Sequence, residues 1–267
     1  MSGKRTFAAG AFLLGVLLVI SCDDFYSATW GTAREYDASK ISVNAGNVDE
    51  WVEKAAGNPE LADAVTDAIK NELEKGSLNT GDKAKLQDAG VALAIEASGI
   101  GETILEKAAD TLSNGISSVE DLSKLLADVQ SDFKKNNGAK AASDIADIIS
   151  GSLAQPSYGK DSVPKLTGAY VNAEDPADVG QAVVVLTLAL VGKATDASKD
   201  MSAVNLSDFA AYGVYINVNK EAAVMADNPS SEAVTLAAYL NLIADDTTGK
   251  YNNNLLTGTI ATAFGVL

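Results

Sequence analysis

From Asn47 onward apolar residues return every three or four positions, the spacing of one face of an α-helix. Leu61, Val65, Ile69 and Leu73 form such a stripe, with Ala64 and Ala68 beside it and charged residues behind, which predicts a helix over 59–75. Gly76 stops it. Over 82–98 the stripe of Leu86, Gly90, Leu93 and Ala97 is joined by Val91, Ala92 and Ile95 on the other faces, so this helix is expected to be buried nearly all round. Ile104, Leu105, Ala108 and Leu112 mark a short helix, and Val119, Leu122, Leu126, Val129 and Phe133 a narrow seam suited to one neighbour. Ile145, Ile148, Ile149 and Leu153 define the next. The stretch from Val179 to Val191, about 13 residues and almost wholly apolar, predicts a core helix too short to span a bilayer. Residues 206–226 are ambiguous. Phe209, Ala210, Gly213 and Ile216 fit a helix, while Val214, Ile216 and Val218 alternate like a strand; the helical neighbours favour helix. Val234, Leu236, Leu240 and Ile243, then Leu255, Ile260 and Phe264, complete the pattern.

The punctuation agrees with helices. Asn58-Pro59, Asp175-Pro176 and Asn228-Pro229 each place a capping side chain before a proline, whose missing N–H costs nothing at the first helical position. Asn47 with Glu50, and Ser117 with Glu120, read as capping boxes. Helix starts near 59, 82, 100, 117 and 139 recur on the scale of helical-hairpin repeats, so the expected fold is all-α, with antiparallel hairpins stacked as an α-solenoid or TPR-like array. The Trp-x-x-Leu-Gly-x-x-Tyr signature of a tetratricopeptide unit is absent, and HEAT-type pairs fit the spacing as well. Pro156, Gly159, Pro164 and Gly168 break the pattern, making 155–175 a linker or long loop between a first helical half, 48–154, and a second, 176–267.

The N-terminal segment follows another logic. Lys4 and Arg5 precede an apolar run of 14 residues, Phe7 to Ile20, which is short for a membrane span and suited to a cleaved export signal. The run ends in Val19-Ile20-Ser21-Cys22, which resembles the lipobox of bacterial lipoproteins. That resemblance implies removal of residues 1–21 and diacylation of Cys22, the only cysteine. Two acyl chains anchor stably where one binds only marginally. Residues 22–47 are then a polar tether, with Phe25, Tyr26, Trp30 and Tyr36 as its aromatics, which are expected to dock on the first helices or to touch headgroups or a partner.

Charge narrows the partners. The chain carries a net charge of −16, and after cleavage 18 basic residues would face 36 acidic ones, a net charge of −18. Such a body repels nucleic acid and anionic headgroups, which leaves anchoring to the acyl chains. No cysteine follows Cys22, so stability rests on core burial without disulfides.

No reaction chemistry is legible. The chain has no histidine, which removes the commonest general base and zinc ligand and every Ser-His-Asp triad. Gly192-Lys193 is followed by Ala194 and lacks its first glycine, so it is no Walker loop, and Gly99-Ile100-Gly101 lacks the third glycine of a dinucleotide fingerprint. Ser131 with Lys134, Ser157 with Lys160 and Tyr36 with Lys40 match Ser/Lys or Tyr/Lys spacings that arise often by chance. Asp245-Asp246-Thr247-Thr248-Gly249 offers oxygens to a hard cation but lacks the spaced acids of an EF-hand, and a helix C-terminal turn accounts for it better. We therefore expect no enzyme, no cofactor and no metal.

Tyr212, Tyr215, Tyr239 and Tyr251 concentrate half of the chain's tyrosines in the second half. They predict either a packed aromatic cluster or the floor of a groove; in the second case Trp30, Tyr212, Tyr215 and Tyr239 are the candidate binding surface. The lipobox, acidic helical body and polar tether together resemble the helical lipoproteins of spirochaetes, especially treponemes. That resemblance implies a lipid-anchored, non-enzymatic scaffold binding a protein partner in the periplasm or at the cell surface, at the outer membrane rather than the inner. The alternative it suggests is an accessory of solute uptake that binds a small ligand or a solute receptor.

Overall fold

A computed structural model of the chain describes residues 36–101, 104, 119–154, 158–173, 175–194, 214–217, 222–225 and 229–264. Its helices begin where the sequence supplies a side-chain acceptor. Asn58 Oδ1 accepts from the Leu61 N–H at 3.0 Å, and Pro59 opens the helix behind it. Asn79 caps the next helix through the Asp82 N–H at 2.9 Å. The described helices are α1 (Val48–Ala55), α2 (Pro59–Glu74), α3 (Thr80–Ala97), α4 (Val119–Lys135), α5 (Gly138–Ser150), α6 (Ala169–Ala173), α7 (Pro176–Ala194), α8 (Ser231–Ala244) and α9 (Leu255–Phe264). The all-α expectation holds for the bulk of the fold.

Two predicted caps differ. Asn47 makes no cap bond: its Oδ1 accepts from the Asn44 N–H and its Nδ2 donates to the Ser42 carbonyl, so it stitches the approach to α1 instead. At α8 the cap is Ser230, whose hydroxyl accepts from the Ala233 N–H at 3.3 Å, so Pro229 lies just before the helix. Ser117 of the Ser117–Glu120 box and the short helix expected after Ile104 fall outside the described residues.

A second difference concerns residues 206–226, expected as helix. Val214–Asn217 and Ala222–Met225 form strands β1 and β2, antiparallel, with Val214 opposite Met225 and Asn217 opposite Ala222. The alternation of Val214 and Ile216, a two-residue period, prevails here over the preference inferred from helical neighbours. The hairpin packs on α8.

Helix α3 organises the core. Leu86, Ala89, Leu93 and Ala97 face one apolar cluster, with Val43, Val48, Leu61, Val65 and Ile69, while Val91, Ala94 and Ile95 face a larger one built from α4 to α9. That is why its apolar residues encircle it, as the sequence predicts. Gly90 permits the close approach, since a Cβ there would lie 2.9 Å from Ile148 Cδ1 and 3.2 Å from Ile69 Cγ2. The halves 48–154 and 176–267 share this larger cluster, which joins Ile145 and Ile149 of α5 to Val183, Leu186, Leu236 and Leu240 of α7 and α8. In an α-solenoid each repeat touches only its neighbours. Here α3 packs on α6 and α7, and α5 on α7 and α8, contacts that run beyond neighbours in the chain. Uninterrupted apolar runs such as Val183–Leu186 require cover on every side, and all four residues are buried.

Residues 37–47 are part of the helical unit that begins at Asp37, with Val43 buried against α1 and α2.

Candidate functional site

The loop expected at 155–175 is tied down at both ends. Its return segment bridges Leu166 to Leu153, the Ala154 N–H donates to the Lys165 carbonyl at 2.9 Å, and the Thr167 N–H donates to the Ser152 carbonyl at 2.7 Å. Buried Asn241 of α8 donates from Nδ2 to the Pro164 carbonyl at 2.8 Å, and Lys165 pairs with Asp245 at 2.6 Å. This brings two loops together, 158–168 and 245–254, although they are distant in sequence.

The second loop is built around Asp246. Its carboxylate accepts from the Thr248 N–H at 2.9 Å, the Thr248 hydroxyl at 2.7 Å, the Tyr251 N–H at 2.7 Å and the Asn252 N–H at 3.3 Å. Desolvation acts to raise its pKa, but these donors outweigh it and hold the carboxyl well below the ordinary 3.8. Of the oxygens suggested by the sequence as cation ligands, those of Asp246 are thus engaged by the loop's own donors, and Asp245 pairs with Lys165. Asn254 then caps α9 by accepting from the Leu256 N–H at 3.1 Å and the Thr257 N–H at 3.2 Å.

Between the loops lies an open cleft of about 500 Å³, with Leu166, Val171, Leu242 and Tyr251 as apolar lining and Lys165 and Lys250 among its charged residues. Tyr251 is buried, its hydroxyl donating to the Val171 carbonyl at 3.4 Å, and Lys250 Nζ sits 5.0 Å from its ring centroid. The sequence pointed to both loops and to Tyr251 separately. Their meeting depends on the return of α8 toward α6, for which no local pattern is a signal.

The candidate surface residues fare differently. Tyr239 is fully buried and its hydroxyl lies 2.7 Å from that of Tyr170, so it is a core residue and not part of a groove floor. Helix α8 is buried from Glu232 to Asn241, which leaves no solvent face for it. Tyr215 lies on β1 opposite Val224. Cys22, Trp30 and Tyr212 lie outside the described residues. Tyr36 is 38 % exposed. Of the chance motifs, Ser131 and Lys134 are exposed on α4, and Lys160 is exposed in its loop.

A charged network missed by the sequence reading joins α2 to α5. Lys140 Nζ reaches Asp63 at 2.7 Å, Asp67 at 2.9 Å and Asp144 at 2.8 Å, while Lys70 reaches Asp144 at 2.6 Å and Asp147 at 2.8 Å. Burial pulls the Lys140 pKa down, and its bonds to Asp144, Asp63 and Asp67 more than reverse this, leaving it above the usual 10.5. The network braces two helices and offers no nucleophile or free base. Among the described residues no group of three or more His, Cys, Asp or Glu could hold a metal ion, and no helix is long and apolar enough to cross a membrane. Comparison with known proteins returned no matching family model, no matching curated protein and no matching solved structure.

Proposed function

We propose that the protein is a lipid-anchored component of a bacterial cell envelope, tethered through acyl chains on Cys22, whose helical body acts by binding another protein rather than by catalysis. The observation that carries the anchor is the order of Lys4-Arg5, the apolar run Phe7–Ile20 and Val19-Ile20-Ser21-Cys22. For the binding role, the support is the cleft of about 500 Å³ between the 158–168 and 245–254 loops. It is open, with hydrophobic side chains beside both lysines and aspartates, which suits a segment of a partner's surface better than a solute that must be enclosed. A second reading, capture of a small ligand for uptake, rests on the same cleft and requires the loops to close over it.

Lysine-reactive cross-linking in membranes of cells producing the full chain tests the choice. The scaffold reading expects a protein adduct at Lys165 or Lys250 that is lost in Leu166→Asp. If native mass spectrometry finds instead a stoichiometric small molecule that Leu166→Asp releases, and no protein adduct, the uptake reading replaces it.

A further inference from the structure

The charged side chains around the cleft between the 158–168 and 245–254 loops are Lys165, Asp245, Asp246 and Lys250, and all but the last are engaged within the protein. Lys165 and Asp245 neutralise each other at 2.6 Å. Asp246 is held by the N–H groups of Thr248, Tyr251 and Asn252 and by the Thr248 hydroxyl, which leaves its carboxylate little capacity for a cation from outside. Lys250 differs. Among the described residues its ammonium forms no ion pair, and Asp88 of α3 feels its charge at longer range. Its position is nonetheless set, since the Lys250 N–H donates to the Thr248 hydroxyl at 3.3 Å and Nζ lies 5.0 Å from the Tyr251 ring centroid. An ammonium has three N–H donors and the ring covers one side of it, so donors remain for a further acceptor. Beside it Leu166, Val171 and Leu242 are half-buried, and each presents part of an aliphatic side chain to the cleft.

Resting on the reading of this cleft as a protein-docking site, we propose that its occupant is a segment of the partner with one aspartate or glutamate among aliphatic residues. The carboxylate pairs with Lys250, and the aliphatic groups lie against Leu166, Val171 and Leu242. Charge decides the sign. A partner's cation at Lys250 meets like charge, and an apolar group over it strips the ammonium of water with nothing in return. A carboxylate restores what docking removes, and the apolar neighbours that keep water away strengthen the pair. The rest of the molecule sets the number of acids. The chain carries a net charge of −16, so it repels a strongly acidic tract at long range. A single carboxylate in an otherwise uncharged, aliphatic segment meets both conditions, and the neutralised Lys165–Asp245 pair at the rim opposes neither.

A library of random linear peptides, fused through their C-termini so that every peptide carboxylate is a side chain, is selected against the full chain in detergent, with Leu166→Asp as the counter-target. Among peptides that bind the parent and not Leu166→Asp, enrichment of one Asp or Glu flanked by Leu, Ile, Val or Phe is expected. An enriched peptide should bind Lys250→Gln roughly fivefold more weakly than the parent and Lys250→Glu roughly tenfold more weakly, the scale of an ion pair partly shielded from water. Replacing the peptide's carboxylate by its amide should produce the same loss on the unsubstituted protein, a result independent of any variant's folding, and no further loss on Lys250→Gln. Cleft-binding peptides that lack an acid, or binding that is unchanged in Lys250→Gln, overturn the proposal while the docking reading stands. A library that yields no peptide sensitive to Leu166→Asp overturns the docking reading itself, and the proposal with it.

Discussion

Asp144 has a side-chain exposure of 3 % and lies between Lys70 at 2.6 Å and Lys140 at 2.8 Å. Both of its oxygens are engaged, so burying the charge is compensated by direct ion pairs that reach from α5 to α2. Removing it leaves two lysines with less carboxylate around them. Asp144→Ala is expected to cost about 2 kcal/mol in denaturant unfolding, below the value for a fully buried pair because the lysines remain partly solvated. The raised pKa of Lys140 gives the network a second signature: its contribution is complete below 10.5 and is lost only as alkaline pH carries Lys140 through its higher folded value. Tyr239 is the other telling residue, with no exposed surface and a hydroxyl against Tyr170. Tyr239→Ala is expected to cost about 3–5 kcal/mol, the range for emptying an aromatic site in a core. A melting temperature that barely moves would return Tyr239 to the surface role assigned from sequence.

Among the elements, the helices were legible because two independent signals coincided. Asn58 and Pro59 set the start of α2, and Leu61, Val65 and Ile69 set its buried face. For α3 the encircling apolar residues foretold burial on two sides, and the two clusters that meet on it supply those sides. Gly90 marks the closest approach. Adding a methyl group gains about 1 kcal/mol of helix propensity but crowds Ile148 and Ile69 by more, so Gly90→Ala is expected to lower stability by about 1 kcal/mol net. A gain in melting temperature would mean that the isoleucine side chains give way freely. Elements failed to be legible where one pattern served two structures. Val214 and Ile216 were consistent with strand and helix alike, and only the pairing of Val214 with Met225, a partner elsewhere in the chain, decides between them.

For the whole molecule, periodicity gave the class of fold and not the order in which helices meet. Evenly spaced starts suggested a stack, yet the apolar Val183–Leu186 run demands neighbours all round, and α7 obtains them from α3, α5, α8 and α9. The cleft was illegible for the same reason, since Lys165 and Asp245 meet only through that return. Sequence-local chemistry remains the basis for the anchor. On the proposed reading, an acidic body with a net charge of −18 after cleavage would gain nothing from anionic lipid, and attachment would depend on the acyl chains alone. Mass spectrometry of the N-terminal peptide, from protein extracted with the membranes of producing cells, tests this most directly. The account predicts a peptide beginning at Cys22 and carrying at least two acyl chains; an unacylated chain in the soluble fraction, with residues 1–21 still attached, would contradict it.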